Sequence, residues 1–258
     1  KFKMKSKIHE IQNTTNNIMS KKIVLAIIAV ITLIACNKEG ASDANVHITG
    51  DVKGLSQGKL YLQKIQDSAL VMLDSIEISG DSKFESHIKL ESPEMLYLFL
   101  DRGQTNSIDN SLPFFAEPGE IKIETTLKHF FADAKITGSK NHDLWKKFDS
   151  LNSKFRDQNL ALMAKRLKNE YQPNPTTTDS IEKAYNNLLK RKYRYTAHFA
   201  VTNANKEIAP YLALSEIADI NTVYLDTIQK SMTPEVAKSK YGKMLSEFIQ
   251  KRKEAEKQ

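Results

Sequence analysis

Ser56 lies in the part of this sequence that most resembles a catalytic motif. Residues 54–58 (GLSQG) match the Gly-x-Ser-x-Gly turn that presents a nucleophilic serine in hydrolases. That turn needs a strand before it and a helix after it, whereas residues 59–65 (KLYLQKI) read as a strand. We therefore interpret the two glycines as parts of a tight β-turn, and we keep a serine hydrolase at Ser56 as the least favoured hypothesis.

Cys36 is the single cysteine of the chain and suggests a different covalent chemistry. It follows a short positive segment at residues 19–22 (MSKK) and thirteen residues, 23–35, that are apolar except for Thr32. Such a run is shorter than the roughly 20 residues that cross a bilayer, and it fits a secretory signal. Residues 33–36 (LIAC) resemble the lipobox of bacterial lipoproteins. The resemblance implies cleavage between Ala35 and Cys36 and transfer of a diacylglycerol to the Cys36 thiol, and the alternative is a buried core cysteine.

A lipidated Cys36 would change how the rest of the chain is interpreted. We expect translation to start at Met19, we set residues 1–18 aside as an upstream extension, and we interpret residues 36–45 as the lipidated cysteine and a polar tether. Asn37 follows the cysteine, as in lipoproteins sent to the outer membrane. With one cysteine, a Cys-x-x-Cys redox site is excluded. The predicted modification is an acyl lipid, palmitate included, and the predicted location is the cell envelope.

The charge of the chain is divided unevenly. Residues 1–35 hold six lysines and one acid, so the remainder carries 32 basic and 30 acidic residues. Within that remainder, residues 36–138 have a net charge of −6 and residues 139–258 a net charge of +8. The basicity of the whole chain is therefore largely that of its leader, which weakens a nucleic-acid interpretation and suggests two regions.

The remaining titratable residues do not predict a metal or cofactor site. The histidines after the leader are far apart in sequence: His47, His87, His129, His142 and His198. The sequence has no phosphate-binding glycine loop, so we predict no metal and no cofactor beyond the lipid. Residues 190–194 (KRKYR) form the one dense basic run with an aromatic residue. We interpret this run as a solvated helix face, with a nucleic-acid or headgroup patch as the alternative, and we predict no nucleic-acid partner.

The acidic region predicts short antiparallel strands. Apolar or alternating runs occupy residues 46–50, 59–65, 70–78, 83–90, 95–100 and 120–124. Glycine, proline or serine breaks separate these runs at hairpin spacing, and no helical pattern lies between them. The sequence therefore predicts an α+β fold. It has an N-terminal antiparallel β-sandwich or barrel-like domain over residues 46–138 and a helical C-terminal region over residues 139–258.

The basic region predicts helices. Apolar residues at intervals of three and four run along one stripe from Leu144 to Tyr171, and Pro173 ends that helix. Thr178 or Asp179 is the predicted cap of the next helix. Shorter helices are predicted over residues 207–218 and 224–229, and a last helix starts at Pro234.

Several segments together resemble a domain of unknown function from envelope lipoproteins of the Bacteroidota. The matching segments are residues 46–55 (VHITGDVKGL), 58–62 (GKLYL), 73–78 (LDSIEI), 80–84, 93–99 and 136–144. In that family the domain precedes a helical linker, which residues 209–212 and 231–245 resemble. A thioredoxin-like domain of the peroxiredoxin (AhpC/TSA) and thiol–disulfide oxidoreductase type then follows. This sequence ends where that domain would begin, so the resemblance carries no catalytic residue over.

Five Asp-Ser or Asp-Thr pairs resemble the O-glycosylation signal of the same bacteria. The candidate acceptors are Ser68, Ser75, Ser150, Ser180 and Thr227. The alternative is that such pairs are common turn and helix-cap dipeptides.

These observations favour a lipid-anchored envelope protein that binds or scaffolds without catalysis. Its predicted partners are the membrane, through the anchor, and an envelope protein such as a thioredoxin-like protein. The second hypothesis is a fragment or degenerate relative of a thioredoxin-like oxidoreductase that acts with a partner in trans.

Overall fold

The structure, a computed structural model, describes residues 43–103 and 107–257. The predictions for the leader, the cleavage at Ala35 and the lipid on Cys36 concern residues outside these ranges. The described residues form one compact unit.

Two four-stranded sheets form the first part of this unit. The strands are Val46–Lys53 (β1), Gln57–Gln66 (β2), Ala69–Ser79 (β3), Lys83–Ile88 (β4), Glu94–Asp101 (β5), Ser111–Ala116 (β6), Gly119–Thr126 (β7) and Lys135–Thr137 (β8). One sheet has the order β4-β1-β7-β8 and the other β3-β2-β5-β6. All neighbouring strands are antiparallel except β1 and β7, which are parallel.

The alternating runs of the sequence explain where the sheet core lies. Successive side chains of a strand point to opposite faces, so every second residue of β1 and β7 turns inward. Inward residues of both sheets form one core, including Val46, Ile48, Leu60, Leu62, Leu96, Leu98, Phe114, Ile121 and Ile123, each at most 1% exposed. The predicted α+β fold, with an antiparallel-rich β part before the helices, is confirmed.

Six helices follow the sheets in the described part of the chain. They are Lys140–Tyr171 (α1), Pro175–Thr202 (α2), Ile208–Glu216 (α3), Thr222–Ser231 (α4), Pro234–Lys238 (α5) and Lys240–Ala255 (α6). A 3-10 turn, Ile108–Asn110, precedes β6. Side-chain caps fix most of the helix starts: Ser139 accepts from the His142 N–H at 3.0 Å, and Asn174 accepts from the Thr177 N–H at 3.2 Å.

The helical part packs directly on the second sheet. Met95 of β5 and Phe115 of β6 point away from the sheet core and join Phe148, Phe199, Ile208, Leu212 and Tyr241 in a buried cluster. We call this set the junction cluster. A separate cluster within the helices contains Ala213, Leu225, Leu245 and Ile249. The acidic and basic regions are therefore joined by buried apolar contacts.

Several boundaries differ from the sequence predictions. The cap of α2 is Asn174, four residues before the predicted Thr178, because Pro175 occupies the first helical position and already has the backbone angle of a helix. The predicted last helix is two helices, since Ser239 ends α5 and caps α6. β6 was not predicted. Among residues 43–103 and 107–257, no helix is both long and apolar enough to cross a membrane.

Candidate functional site

A cleft of about 1030 Å³ lies between the sheets and the last two helices. Its walls come from the β2–β3 hairpin, the β4–β5 loop, α5 and α6. We call it the junction cleft. Its charged lining residues are Lys64, Asp67, Lys89, Glu91, Glu94, Glu207, Glu235, Lys238, Lys240, Lys243 and Glu247.

Glu94 is the most buried charged residue of the junction cleft, with 4% of its surface exposed. Its carboxylate lies 3.7 Å from the Lys64 ammonium and in direct contact with the Lys240 ammonium. Lys240 also donates a hydrogen bond to the Ile65 carbonyl at 3.3 Å. The two cations that face this carboxylate offset the cost of burying an acidic side chain. With two ammonium groups already present, this carboxylate is poorly suited to take a metal cation.

Two hydrogen bonds hold the start of α6 against the start of β5. The backbone N–H of Met95 donates to the Tyr241 hydroxyl at 3.0 Å, and the backbone N–H of Lys240 donates to the Ser92 hydroxyl at 3.1 Å. Burial raises the pKa of the Tyr241 hydroxyl. Tyr241 therefore stays protonated at neutral pH. Its hydrogen bond with Met95 helps to position the adjacent residue Lys240, which lines the cleft.

The lining of the junction cleft suits a polar partner that carries both signs of charge. Five lysines and six carboxylates line it, and most of them lie at its exposed rim. A partner segment with alternating charges can pair with both kinds of group, whereas a purely anionic or cationic ligand would meet like charges. The arrangement can therefore bind a partner through charge pairs, around a fixed floor where two ammonium groups flank one buried carboxylate.

A second, smaller groove lies on the helices. It has a volume of about 540 Å³ and is lined by parts of α2 and α4, including Lys190, Arg194, His198 and Tyr224. The basic run 190–194 does not form one patch. Lys192 pairs with Glu216 at 2.9 Å, and Arg191 lies 5.8 Å from the centre of the Phe155 ring, away from Lys190 and Arg194.

The structure places Ser56 in an exposed turn directly before β2. Gly54 has a positive φ of 91°, and the Ser56 carbonyl accepts from the Gly80 N–H at 2.8 Å. A strand thus occupies the position where a nucleophile turn needs a helix. The five candidate glycosylation residues Ser68, Ser75, Ser150, Ser180 and Thr227 are all exposed, as an acceptor must be, and their modification stays a prediction.

The structure brings two of the predicted histidines together. His47 and His87 face each other across β1 and β4, with ring centres 4.6 Å apart. A cross-strand register sets this pair, so their spacing in the sequence does not reveal it. No group of three or more metal-ligating side chains occurs in the described residues. His129 and His198 lie at other exposed positions, and His142 is buried.

The first part of the chain matches a known protein family. Residues 46–145 match DUF4369, a domain of unknown function. The search of curated proteins found no match.

The DUF4369 match covers all eight strands and the first residues of α1. The predicted resemblance to a domain of unknown function is thereby confirmed. The junction cleft draws Lys64 and Glu94 from the DUF4369 domain and Lys240 from the helices that follow it. Sequence analysis missed Glu94 and Lys240 because they are 146 residues apart and no local motif contains both.

Proposed function

We propose that this protein is a non-catalytic binding module, held in the cell envelope by a lipid on Cys36. Its junction cleft would bind a charged polypeptide segment of another envelope protein. The observation that carries the proposal is the cleft itself, which is large, charged with both signs and built around the buried Glu94. The partner class that the sequence favours is a thioredoxin-like protein. Membership of a Bacteroidota lipoprotein group and an outer-membrane location belong to the same proposal.

The start of the folded unit supports the combination of anchor and cleft. Asp43 forms an ion pair with Lys89, and Lys89 lines the junction cleft. The Asn45 side chain exchanges two hydrogen bonds of 2.8 Å with the backbone of Leu90. These contacts fix the end of the predicted tether beside the cleft.

Site-specific photo-crosslinking tests the cleft. A photo-reactive amino acid replaces Met244, which lines the junction cleft and is 45% exposed, in the full-length lipoprotein in its own host. The control carries the same substitution at Val223, which is 67% exposed on α4. We expect a discrete adduct with an envelope protein from position 244 alone, identified by mass spectrometry. Identical adducts from both positions, or none from position 244, would overturn the proposed binding site.

The rim charges provide a second arm of the same test. Lys243→Glu reverses one exposed charge of the cleft and leaves the buried pair of Glu94 and Lys240 intact. We expect it to weaken the adduct from position 244, because complementary rim charges guide association. Catalytic turnover that depends on a single side chain of the purified protein would contradict the non-catalytic part of the proposal.

Metabolic labelling tests the anchor separately. We expect an alkyne analogue of palmitate to label the full chain and to leave Cys36→Ser unlabelled, since that variant lacks the acceptor thiol. Ser150→Ala serves as a control because it removes an exposed hydroxyl far from the leader in sequence. Equal labelling of the wild type and Cys36→Ser would refute the lipid anchor and leave the cleft proposal to its own experiment.

A further inference from the structure

The groove between α2 and α4 is lined by basic and apolar residues, unlike the junction cleft with its mixed charges. Its volume is about 540 Å³, and its basic lining residues are Lys190, Arg194 and His198. These residues follow one another at intervals of four, so they lie along one stripe of α2. Among the described residues, no carboxylate lines this groove, whereas six line the junction cleft. We call it the helix groove.

Lys190 and Arg194 have no counter-charge of their own. Within residues 43–103 and 107–257, neither side chain forms an ion pair or a hydrogen bond. The nearby Lys192, by contrast, pairs with Glu216 at 2.9 Å. Like charges four residues apart on a helix repel each other. A bound anion would relieve this repulsion as well as pair with both cations.

The floor of the helix groove is apolar and belongs to the core of the helical part. Ile220 lines the groove, is only 7% exposed, and packs in the same buried cluster as Tyr193 and Ala197. Val201, which is 37% exposed, and Tyr224, which is 55% exposed, add apolar surface closer to solvent. Because the core holds this floor in place, the groove is formed before a ligand arrives.

We propose that the helix groove binds a small molecule that carries one anionic group on an apolar body. This class includes fatty acids and aromatic carboxylates. The anionic group pairs with Lys190 and Arg194, and the apolar body covers Ile220 and Tyr224. The volume of about 540 Å³ lies within the roughly 300–1,000 Å³ of small-molecule sites, which are mostly apolar with a few polar groups that orient the ligand.

Charge and shape favour this ligand class over a cation or a bilayer surface. Asp219 accepts a hydrogen bond from the Tyr193 hydroxyl, so one carboxylate lies beside the helix groove. The charges of Lys190 and Arg194 outweigh it, and an anion is attracted where a cation is repelled. A flat bilayer would meet the exposed Tyr224 but would not reach the buried Ile220, whereas a single molecule can contact both.

Fluorescence titration with a matched pair of probes tests the helix groove. The probes are anilinonaphthalenesulfonate and phenylnaphthylamine, which is the same aromatic molecule without the sulfonate. The purified full chain carries Lys190→Glu, which reverses one charge of the groove. The control is Lys168→Glu, the same change at an exposed position of α1. Neither position lines the junction cleft, so the result does not depend on the proposed function.

We expect Lys190→Glu to bind the sulfonate at least about tenfold more weakly than Lys168→Glu does, because the reversed charge repels the anion. Arg194→Glu should have the same effect, and binding of the neutral probe should change little. Circular dichroism verifies that each variant is folded. Equal sulfonate binding by groove and control variants, or equal losses for both probes, would overturn the proposal. Weaker cosedimentation of Lys190→Glu with phosphatidylglycerol vesicles, without weaker sulfonate binding, would overturn it in favour of a membrane surface.

Discussion

His142 is a buried imidazole at the first turn of α1, where the helical part meets β6. It is 3% exposed, and its Nδ1 accepts a hydrogen bond from the Phe115 N–H at 3.4 Å. Burial, assisted by the charge of Lys146, lowers the pKa of His142 from 6.5 to about 4. The folded protein therefore holds this residue neutral, and protonation would remove the acceptor that Phe115 uses.

The lowered pKa of His142 predicts that the protein loses stability as the pH falls. Between pH 6.5 and about 4 the unfolded chain binds a proton at His142 that the folded chain does not, so the stability contributed above pH 6.5 is lost as the pH falls. The loss amounts to up to about 3 kcal/mol. We expect the difference in unfolding free energy between wild type and His142→Gln to shrink from pH 7 to pH 4, measured by urea titration. A difference that is constant with pH would contradict the prediction.

Tyr241 offers a second test at the scale of one residue. Its hydroxyl accepts from the buried Met95 N–H, and Tyr241→Phe leaves that donor without its acceptor. We expect a destabilisation of about 1–3 kcal/mol in chemical unfolding. Tyr224→Phe, at a position that is 55% exposed, is the matched control and should change stability by less than about 0.5 kcal/mol. Similar losses in both variants would argue against the contact.

The sequence alone does not reveal residues whose role depends on a partner far away in the chain. Cys36 and Ser56 are noticed because their neighbours form a local motif. Glu94, Lys240 and Tyr241 act through partners more than a hundred positions away, so their roles emerge only when β5 and α6 meet. The candidate site was therefore absent from the sequence predictions, although its residue types are ordinary.

At the scale of elements, α1 is a helix with two different halves. Its first half is packed, with Phe148 and Asn152 each at most 2% exposed. In its second half the predicted apolar stripe continues, but it faces solvent: Leu160, Met163, Leu167 and Tyr171 are 57–82% exposed. Periodicity correctly predicts the helix and its apolar face. It does not indicate whether another element covers that face, since this depends on tertiary packing.

The exposed half of α1 and a buried position of its neighbour α2 predict different responses to the same kind of substitution. Leu167→Ala, at a position that is 57% exposed, should change the free energy of unfolding by less than about 0.5 kcal/mol. Leu188→Ala removes a leucine of α2 that is 7% exposed and should cost about 2–5 kcal/mol. Thermal unfolding of the two variants provides the comparison. A large loss for Leu167→Ala would mean that a contact covers the second half of α1 in solution.

Among the strands, too, the sequence pattern predicts some elements, whereas others can be recognised only from tertiary packing. β7 was predicted because its residues alternate between the core and solvent. β6 was missed because alternate burial fails there: α1 covers its outer face, so Phe114 and Phe115 are both fully buried. β6 also contains Pro113, which an edge strand tolerates because one side of its backbone needs no partner.

At the scale of the whole molecule, the junction cluster makes the sheets and helices interdependent. The Phe115 ring contacts Tyr211 and Tyr241 in edge-on arrangements, with ring centres 5.5 and 5.9 Å apart. Burial raises the pKa of Tyr211 to about 12, so all of these contacts are neutral at physiological pH. The two regions of opposite net charge are thus joined by a specific buried contact.

This interdependence predicts cooperative unfolding. Phe115→Ala should lower the stability of the whole unit by about 3–5 kcal/mol, because it opens a cavity between the sheets and the helices. Trp145 fluorescence and helical circular dichroism should report one shared transition in the wild type. Phe131→Ala, at a phenylalanine that is 50% exposed, is the control and should have little effect. Separate transitions of the wild type in the two signals would contradict this prediction.

The parallel pair of β1 and β7 has a consequence for how the chain acquires its structure over time. β1 is the first strand, and its two neighbours, β4 and β7, come later in the chain, with Val46 facing Ile88 on one side and Gly119 on the other. Contacts between distant parts of a chain slow folding because a large loop must close first. As the chain emerges during synthesis, one edge of β1 stays unpaired until β7 has been made. The beginning of the fold is therefore completed late, and this interval is the one in which a chaperone would protect it most usefully.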